Sequence, residues 1–313
     1  MKKINILIAC YNEEENIVPL TEAITKVMNE KLSNYDYRIT FIDNKSQDRT
    51  RELIEEVASK DSHVRAIFNA KNFGHIRSPF HGLKQSTDCD ATILMCCDFQ
   101  DPPELIPTLV EKWEEGHKIV YGKKTRSKES KLMYALRNMY YKLMKKNSDF
   151  EQIEQFTGFG LYDLSFIKVL ADIDDPYPYM RGLVGEFGGD KVAMEYTQPK
   201  RRAGKTKNNF NTLYDMGMLG ITSYTKNFLR LALKGGAIML FLSFIGIITT
   251  VFLDVFTKLP ISYMTYLVEG LYVCVFVLLC FIGFMGEYVL LINQRSMHRP
   301  LVVEEKRVNF DEE

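Results

Sequence analysis

Two long apolar runs near the end of the chain, residues 237–256 and 266–292, limit what it can fold into more than any other feature. The first is interrupted only by Ser243, Thr249, Thr250 and Asp254, the second only by Glu269, Glu287 and small polar groups. About 20 apolar residues in a helix cross the roughly 30 Å of bilayer hydrocarbon, so each run is long enough to span. The link between them, residues 257–265, is short and contains Lys258 and Pro260, which predicts a hairpin. Lys226, Arg230 and Lys234 precede the hairpin, and Arg295, His298, Arg299, Lys306 and Arg307 follow it. That basic excess over the single lysine of the link places both ends on the cytoplasmic side. The competing reading is a pair of buried helices in a soluble bundle, and it requires helices apolar all round within a large core. Glu269 and Glu287 are tolerable near helix ends or in a subunit interface. Gly246, Gly283 and Gly286 permit close helix packing and hence a homo-oligomer.

The first two thirds of the chain have the opposite character. Forty basic and 40 acidic residues cancel over the 313, which argues against a nucleic-acid partner whose affinity comes from neutralising many phosphates. Six cysteines are scattered without metal-site or disulfide-framework spacing and read as reduced thiols. Cys96 and Cys97 fall in an apolar run and read as small core residues. At the amino terminus, Lys2 and Lys3 lead into an apolar run that is too short for a signal peptide.

Between residues 4 and 122, β-rich apolar runs alternate with amphipathic ones. Strands are expected at 4–10, 37–43, 64–69, 91–97 and 118–121, and helices at 16–29, 49–60, 78–86 and 104–115. This rhythm predicts an α/β fold with a parallel, doubly wound sheet. Such sheets bind ligands beyond the carboxyl ends of their strands. The first strand exits into Tyr11-Asn12-Glu13-Glu14, and the second into Asp43-Asn44-Lys45-Ser46-Gln47-Asp48-Arg49-Thr50. Backbone amides and a carboxylate there suit a base and ribose, although Ser46 or Asp48 also suits a helix cap. The fourth exits into Asp98-Phe99-Gln100-Asp101-Pro102-Pro103-Glu104. A carboxylate and an amide oxygen two residues apart can ligate a hard divalent cation on a diphosphate, while Asp101 and the prolines read as a helix start. His75 and His81 read as structural, and no histidine cluster suggests zinc.

Further along, the basic run Arg201-Arg202-Ala203-Gly204-Lys205-Thr206-Lys207 precedes an amphipathic region, residues 210–233. It suits either a bound phosphate or a tether to anionic lipid, at about 1 kcal/mol per charge near the surface. Arg181 is a second candidate for a phosphate. Arg126 and Arg137 are candidates for clamping a donor diphosphate or for contact with lipid headgroups.

These segments, in this order, resemble family 2 glycosyltransferases of the GT-A fold, in the branch that includes dolichyl-phosphate mannose synthases and bactoprenol glucosyltransferases. The matching pieces are Tyr11-Asn12-Glu13-Glu14, the Asp43–Thr50 turn, Asn72-Phe73-Gly74, the Asp98–Glu104 run, the basic stretch from Arg201, and a two-helix tail closing on Arg299-Pro300. The resemblance covers nearly the whole chain. It implies a GT-A nucleotide-sugar-binding, Rossmann-like domain over 1–208, juxtamembrane helices over 209–234, a transmembrane hairpin over 235–293 and a cytosolic tail over 294–313.

By the same resemblance, Tyr11, Glu13, Asp43 and Asp98 would hold the nucleotide, with Asp43 facing the uracil. Asp98 and Gln100 would bind Mg²⁺ or Mn²⁺. Arg181, Arg201, Arg202, Lys205 and Lys207 would receive the acceptor phosphate, making Asp98 and Arg202 the catalytic pair. The implied reaction is inverting transfer from a UDP-sugar to a polyprenyl phosphate at the cytoplasmic face of the cell membrane, with UDP-glucose the first expectation. Two departures stand out. Cys96 replaces the first acid of the usual Asp-x-Asp. The stretch Thr157-Gly158-Phe159-Gly160-Leu161-Tyr162-Asp163 lacks the acidic residue and the arginine that many relatives carry at Gly158 and Gly160, while keeping Asp163. An acceptor phosphate is already anionic and needs no base. A hydroxyl-directed or processive transferase, or an inactive membrane scaffold, is the alternative.

Overall fold

The computed structural model describes residues 1–125, 153, 155–199, 201–202, 210–224, 262–296 and 299–310, with single positions at 139 and between 238 and 256. Two compact units are present. One comprises Met1–Lys142, Phe150–Asn209 and Met297–Glu313, and the other Leu143–Asp149 and Phe210–Ser296.

The first unit is built on eight strands: β1 (Lys3–Cys10), β2 (Asp36–Asp43), β3 (Val64–Asn69), β4 (Ala91–Cys96), β5 (Ile119–Lys124), β6 (Phe156–Asp163), β7 (Lys191–Tyr196) and β8 (Glu304–Val308). They form one sheet in the order β7-β5-β6-β4-β1-β2-β3-β8. Strand β1 alternates its side chains between two apolar layers, as the period of two requires. Ile4, Ile6 and Ile8 face α1 (Ile17–Lys31), α2 (Thr50–Lys60) and α4 (Ile106–Glu114). Leu7 faces α3 (Gly74–Lys84), α5 (Leu164–Asp172) and α6 (Met180–Phe187). The result is a three-layer α/β/α domain whose central strands are buried on both faces.

The expected parallel sheet is corrected to a mixed one. Strands β4, β1, β2 and β3 run parallel, but β6 inserts antiparallel between β4 and β5. Strand β8 closes the far edge antiparallel to β3. The helix expected from residue 78 starts at Gly74, because Asn72 Oδ1 accepts the Gly74 amide at 2.8 Å and turns the chain early. The expected C-terminal tail supplies β8 itself.

In the second unit, α7 (Phe210–Tyr224) is joined to α8 (Tyr263–Ser296) by a hydrogen bond from Arg295 Nη2 to Ser223 Oγ at 3.2 Å. Helix α8 has 34 residues, and large apolar side chains along it, including Leu267, Leu271, Leu278, Ile282 and Val289, are exposed. Among the described residues no helix is long and apolar enough to cross a membrane. Most of the 237–256 run and the side chain of Glu269 lie outside the described residues.

Candidate active site

Because β4, β1 and β2 are parallel neighbours, their carboxyl ends open side by side. Each exit contains one non-glycine residue in the left-handed region: Asn12 (φ 54°), Lys45 (φ 65°) and Phe99 (φ 59°). Such backbone costs about 1–3 kcal/mol per residue and persists only where surrounding contacts over-determine it. Those contacts are present. The Asn12 amide donates to Ser46 Oγ at 2.8 Å, and the Gln47 amide donates back to Asn12 Oδ1 at 2.7 Å. The Glu13 amide donates to Thr50 Oγ1 at 2.8 Å, lacing the β1 exit to the β2 exit. Ser46 and Asp48 therefore work within this lacing, the latter also accepting the Thr50 amide at 3.0 Å.

Asp43, fully buried at the end of β2, accepts the Lys45 amide at 3.1 Å and the Ser46 amide at 3.2 Å. Arg51 Nε stands 3.5 Å away. Burial pushes the Asp43 carboxyl up, while the Ser46 contacts and Arg51 pull it down. Asn44 holds the next wall: its Oδ1 accepts the Phe73 amide at 2.8 Å and its Nδ2 donates to Asn72 Oδ1 at 2.8 Å. These contacts give Asn72-Phe73-Gly74 a local role, and Asn44 is a residue that spacing alone did not single out. Tyr11 lies half-buried at the start of the first turn.

Asp98, at the exit of β4, is the convergence point. Its Oδ1 accepts the Gln100 amide at 3.0 Å, and its Oδ2 lies 2.8 Å from Arg201 Nη2. Arg201 Nη1 is also 3.4 Å from Glu13 Oε1, and Asn16 Nδ2 donates to Glu13 Oε2 at 2.8 Å. The Arg202 amide donates to the Asp98 carbonyl at 3.3 Å, with its guanidinium 5.0 Å from the Phe99 ring centroid. The basic segment thus begins directly on the strand exit that carries Asp98. Arg126, Arg137, Lys205 and Lys207 lie outside the described residues.

Asp101 precedes the Pro103–Leu105 turn that leads into α4, as the helix-start reading expects, but its side chain has more distant partners. It is buried, accepts the Cys96 amide at 2.9 Å and the Tyr196 hydroxyl at 3.0 Å, and staples the β4 exit to β7. Burial raises its carboxyl. Lys124, at the end of β5, belongs to the basic stretch that precedes Arg126 and lies in the electrostatic neighbourhood of Asp98 and Asp101. Burial lowers its ammonium, Asp101 and Asp98 oppose that, and Arg181 reinforces it, so Arg181 shares this electrostatic neighbourhood.

A metal on a donor diphosphate needs oxygen ligands. Among the described residues no three His, Cys, Asp or Glu side chains converge as a complete cage, and burial pushes the nearby Cys97 thiol up, away from the thiolate form a metal would use. Mg²⁺ is commonly held by one or two carboxylates plus substrate phosphates and waters. Asp98 fits that role, and Gln100 is tied to it through its backbone amide.

The Gly158 stretch is locally committed to glycine. Gly158 has φ +98°, and a Cβ on Gly160 would lie 2.4 Å from the Val120 carbonyl oxygen. A side chain at Gly158 would be strained by its backbone, and one at Gly160 would collide with the Val120 carbonyl. Asp163 lies at the opposite end of the sheet, paired with Ala91. There it accepts Trp113 Nε1 at 2.8 Å and the Ser165 amide at 3.0 Å, capping α5.

A Rossmann-like mixed sheet that gathers Tyr11, Asp43 and Asp98 at its strand exits defines a glycosyltransferase of the GT-A class. The chain belongs to the family described as Glycosyl transferase family 2, whose model matches residues 5–169. It is 29% identical to the uncharacterized glycosyltransferase YkcC of Bacillus subtilis (strain 168), over 98% of this chain and 94% of that one. It is 31% identical to the bactoprenol glucosyl transferase of Shigella phage SfV, over 95% of this chain and 96% of the relative. A prophage bactoprenol glucosyl transferase homolog of Escherichia coli (strain K12) is 32% identical over 78% of this chain and 79% of its own length.

Proposed function

We propose that this glycosyltransferase moves a hexose, with inversion, from a UDP-sugar to a polyprenyl phosphate at the cytoplasmic face of a membrane. The observation that carries the reading is the pairing of a basic segment with glycine where the family resemblance leads one to expect the acidic base. Arg201 and Arg202 are anchored on Asp98, while glycine stands at both positions where relatives place an acid and an arginine. A sugar hydroxyl acceptor would have to lose a proton to a base. A phosphate monoester does not: its oxygen attacks the anomeric carbon, the bond to the donor diphosphate breaks, and the electron pair leaves on UDP. Two of the relatives are named for a bactoprenol acceptor.

In this reading Asp43 faces the nucleobase, Tyr11 flanks it, and Glu13 and Asn12 shape the turn beneath the ribose. Arg201, Arg202 and Arg181 receive the acceptor phosphate, together with Lys205 and Lys207, and Lys124 adds positive charge beside the leaving diphosphate. A divalent cation, Mg²⁺ or Mn²⁺, would be held by Asp98 with Gln100 and would offset charge on that diphosphate.

A lipid acceptor requires a membrane location. Exposed leucine, isoleucine and valine side chains along α8 are costly in water, at about 25 cal/mol per Å², and free of that cost in hydrocarbon. We read α8 and the 237–256 run as the two arms of a membrane hairpin with both termini cytoplasmic. The test uses membranes containing the full chain, labelled UDP-sugars, undecaprenyl phosphate and Mg²⁺ or Mn²⁺. Label entering the lipid phase with UDP-glucose supports the reading. Label passing to none of the sugars' lipid products, or full transfer by Asp98→Ala, rejects it. Release of the chain from membranes by alkaline carbonate would reject the hairpin.

A further inference from the structure

Strand β8 pairs with β3 through Ala66 with Val308, Ile67 with Arg307, Phe68 with Lys306, and Asn69 with Glu304. The last step advances one residue on β3 and two on β8, so Glu305 is the extra residue of a β-bulge. Bulges re-aim a side chain, and this one aims Glu305 at the turn that follows β2. Its Oε2 lies 2.6 Å from Lys45 Nζ and 3.1 Å from Arg51 Nη2.

Those two cations flank Asp43. Lys45 is the left-handed residue whose amide Asp43 accepts, and Arg51 lies over the Phe68 ring at 4.9 Å with its Nε 3.5 Å from Asp43 Oδ2. That separation is outside good hydrogen-bond length. A free guanidinium beside a carboxylate favours a two-pronged contact, which would occupy the oxygens of Asp43. Both Asp43 oxygens accept the Ser46 amide and Oδ2 also accepts the Lys45 amide, so by taking Arg51 Nη2 Glu305 keeps a two-pronged guanidinium contact from adding to that load. It also pins Lys45, which holds the strained turn.

The strand is fastened independently of Glu305. The Ala70 amide donates to the Val303 carbonyl at 2.9 Å. Arg77 holds the carbonyls of Pro300 and Leu301 at 2.8 Å each, and Asn309 Nδ2 donates to the Ala58 and Val64 carbonyls. Losing one carboxylate therefore leaves β8 in place.

We infer that Glu305, delivered by the C-terminal strand, is a positioning residue of the donor site: it holds Arg51 and Lys45 so that Asp43 can accept an imide N–H of a pyrimidine nucleobase. The inference rests on the proposed reading of Asp43 as the nucleobase contact.

The experiment compares wild type, Glu305→Gln and Lys306→Gln as full chains in detergent, by calorimetric titration with UDP and Mn²⁺ and by donor KM and kcat. Among the described residues Lys306 Nζ pairs with exposed Glu55 of α2 at 3.0 Å, and it serves as the control. We expect Glu305→Gln to weaken UDP binding and raise donor KM about three- to tenfold, the range for losing one surface carboxylate shared by two cations. Its kcat and melting temperature should match the control, and Glu305→Asp should recover part of the affinity. UDP affinity of Glu305→Gln equal to the control overturns the inference alone. A wild-type chain that binds neither UDP nor any other pyrimidine nucleotide overturns the proposed donor reading and the inference with it.

Discussion

Arg201 Nη2 lies 2.8 Å from Asp98 Oδ2, so the first cation of the basic segment and the carboxylate of the fourth strand exit share one contact. A divalent cation bound through Asp98 Oδ2 would compete with this guanidinium for that oxygen. Arg201→Ala should therefore leave Mn²⁺·UDP affinity equal or tighter in calorimetry, while transfer to polyprenyl phosphate falls at least about tenfold. Loss of nucleotide affinity in that variant would place Arg201 on the donor side instead.

Asp98→Asn keeps the side chain's shape and removes its charge. Transfer should fall on the order of 10²–10³-fold, the scale for deleting a group that offsets developing charge. Circular dichroism and melting temperature should stay close to wild type. Retention of more than a tenth of the activity would show that Asp98 is not the main carboxylate.

Gly158 and Gly160 yield a prediction about what the site cannot regain. Gly160→Ala forces a Cβ against the Val120 carbonyl and should destabilise the domain by about 1–3 kcal/mol, read as a lowered denaturant midpoint. Gly158→Asp has room nearby, with Leu94 Cδ2 at 3.8 Å, but places a side chain at φ +98° at a cost of about 1–2 kcal/mol. It should confer no transfer to free sugar hydroxyls. Measurable hydroxyl-directed transfer would mean that the missing acid alone separates the two acceptor classes.

On the side of the sheet away from the site, buried Arg65 donates to Thr40 Oγ1 at 2.7 Å and pairs with Asp88 at 2.5 Å. Thr40 in turn donates to Asn5, and Asn5 to Ser86. Arg65→Met would leave this chain without its cation. Asp88 is about half exposed and can turn to water, so the loss should be about 1–3 kcal/mol, the cost of stranding hydrogen-bond partners. Chemical denaturation with and without the substitution checks it, and activity per folded molecule should not change.

Glu304 gives a pH dependence with a definite sign. Burial opposes its ionisation, but the His81 hydrogen bond and Arg307 outweigh it and bring the carboxyl from 4.5 to about 2. A depressed carboxyl contributes stability that is fully present above its unfolded value and lost as pH falls through the folded one. Attachment of β8 should therefore be constant above about pH 4.5 and weaken from there toward pH 2. Hydrogen exchange at the Ala70 amide, corrected for intrinsic rate, should show it, and Glu304→Gln should flatten the dependence.

The parts of the fold that were legible are those where burial on both faces writes itself as an unbroken apolar run. Ile4 through Cys10 is such a run, and β1 to β4 were found within a residue or two for that reason. Strand β6 carries two glycines, and β8 reads Glu-Glu-Lys-Arg-Val; an edge strand rich in charge looks like a solvated tail. Asp98, Asp43 and Arg201 were legible because each sits in a strand-exit or basic motif. The contacts of Asn44, Asp101 and Glu305 were not, because they come from partners distant in the chain. Glu305 meets Lys45 only once the last strand has found the third.

That late arrival affects how the molecule is made. During synthesis β3 emerges early, yet the strand that covers its open edge is translated only after both apolar runs. Until then the ribosome carries a domain with an unpaired backbone ladder, a form prone to pairing with other chains. A soluble version ending near residue 209 would keep that exposed edge permanently. One that splices residues 297–313 directly behind it would close the sheet.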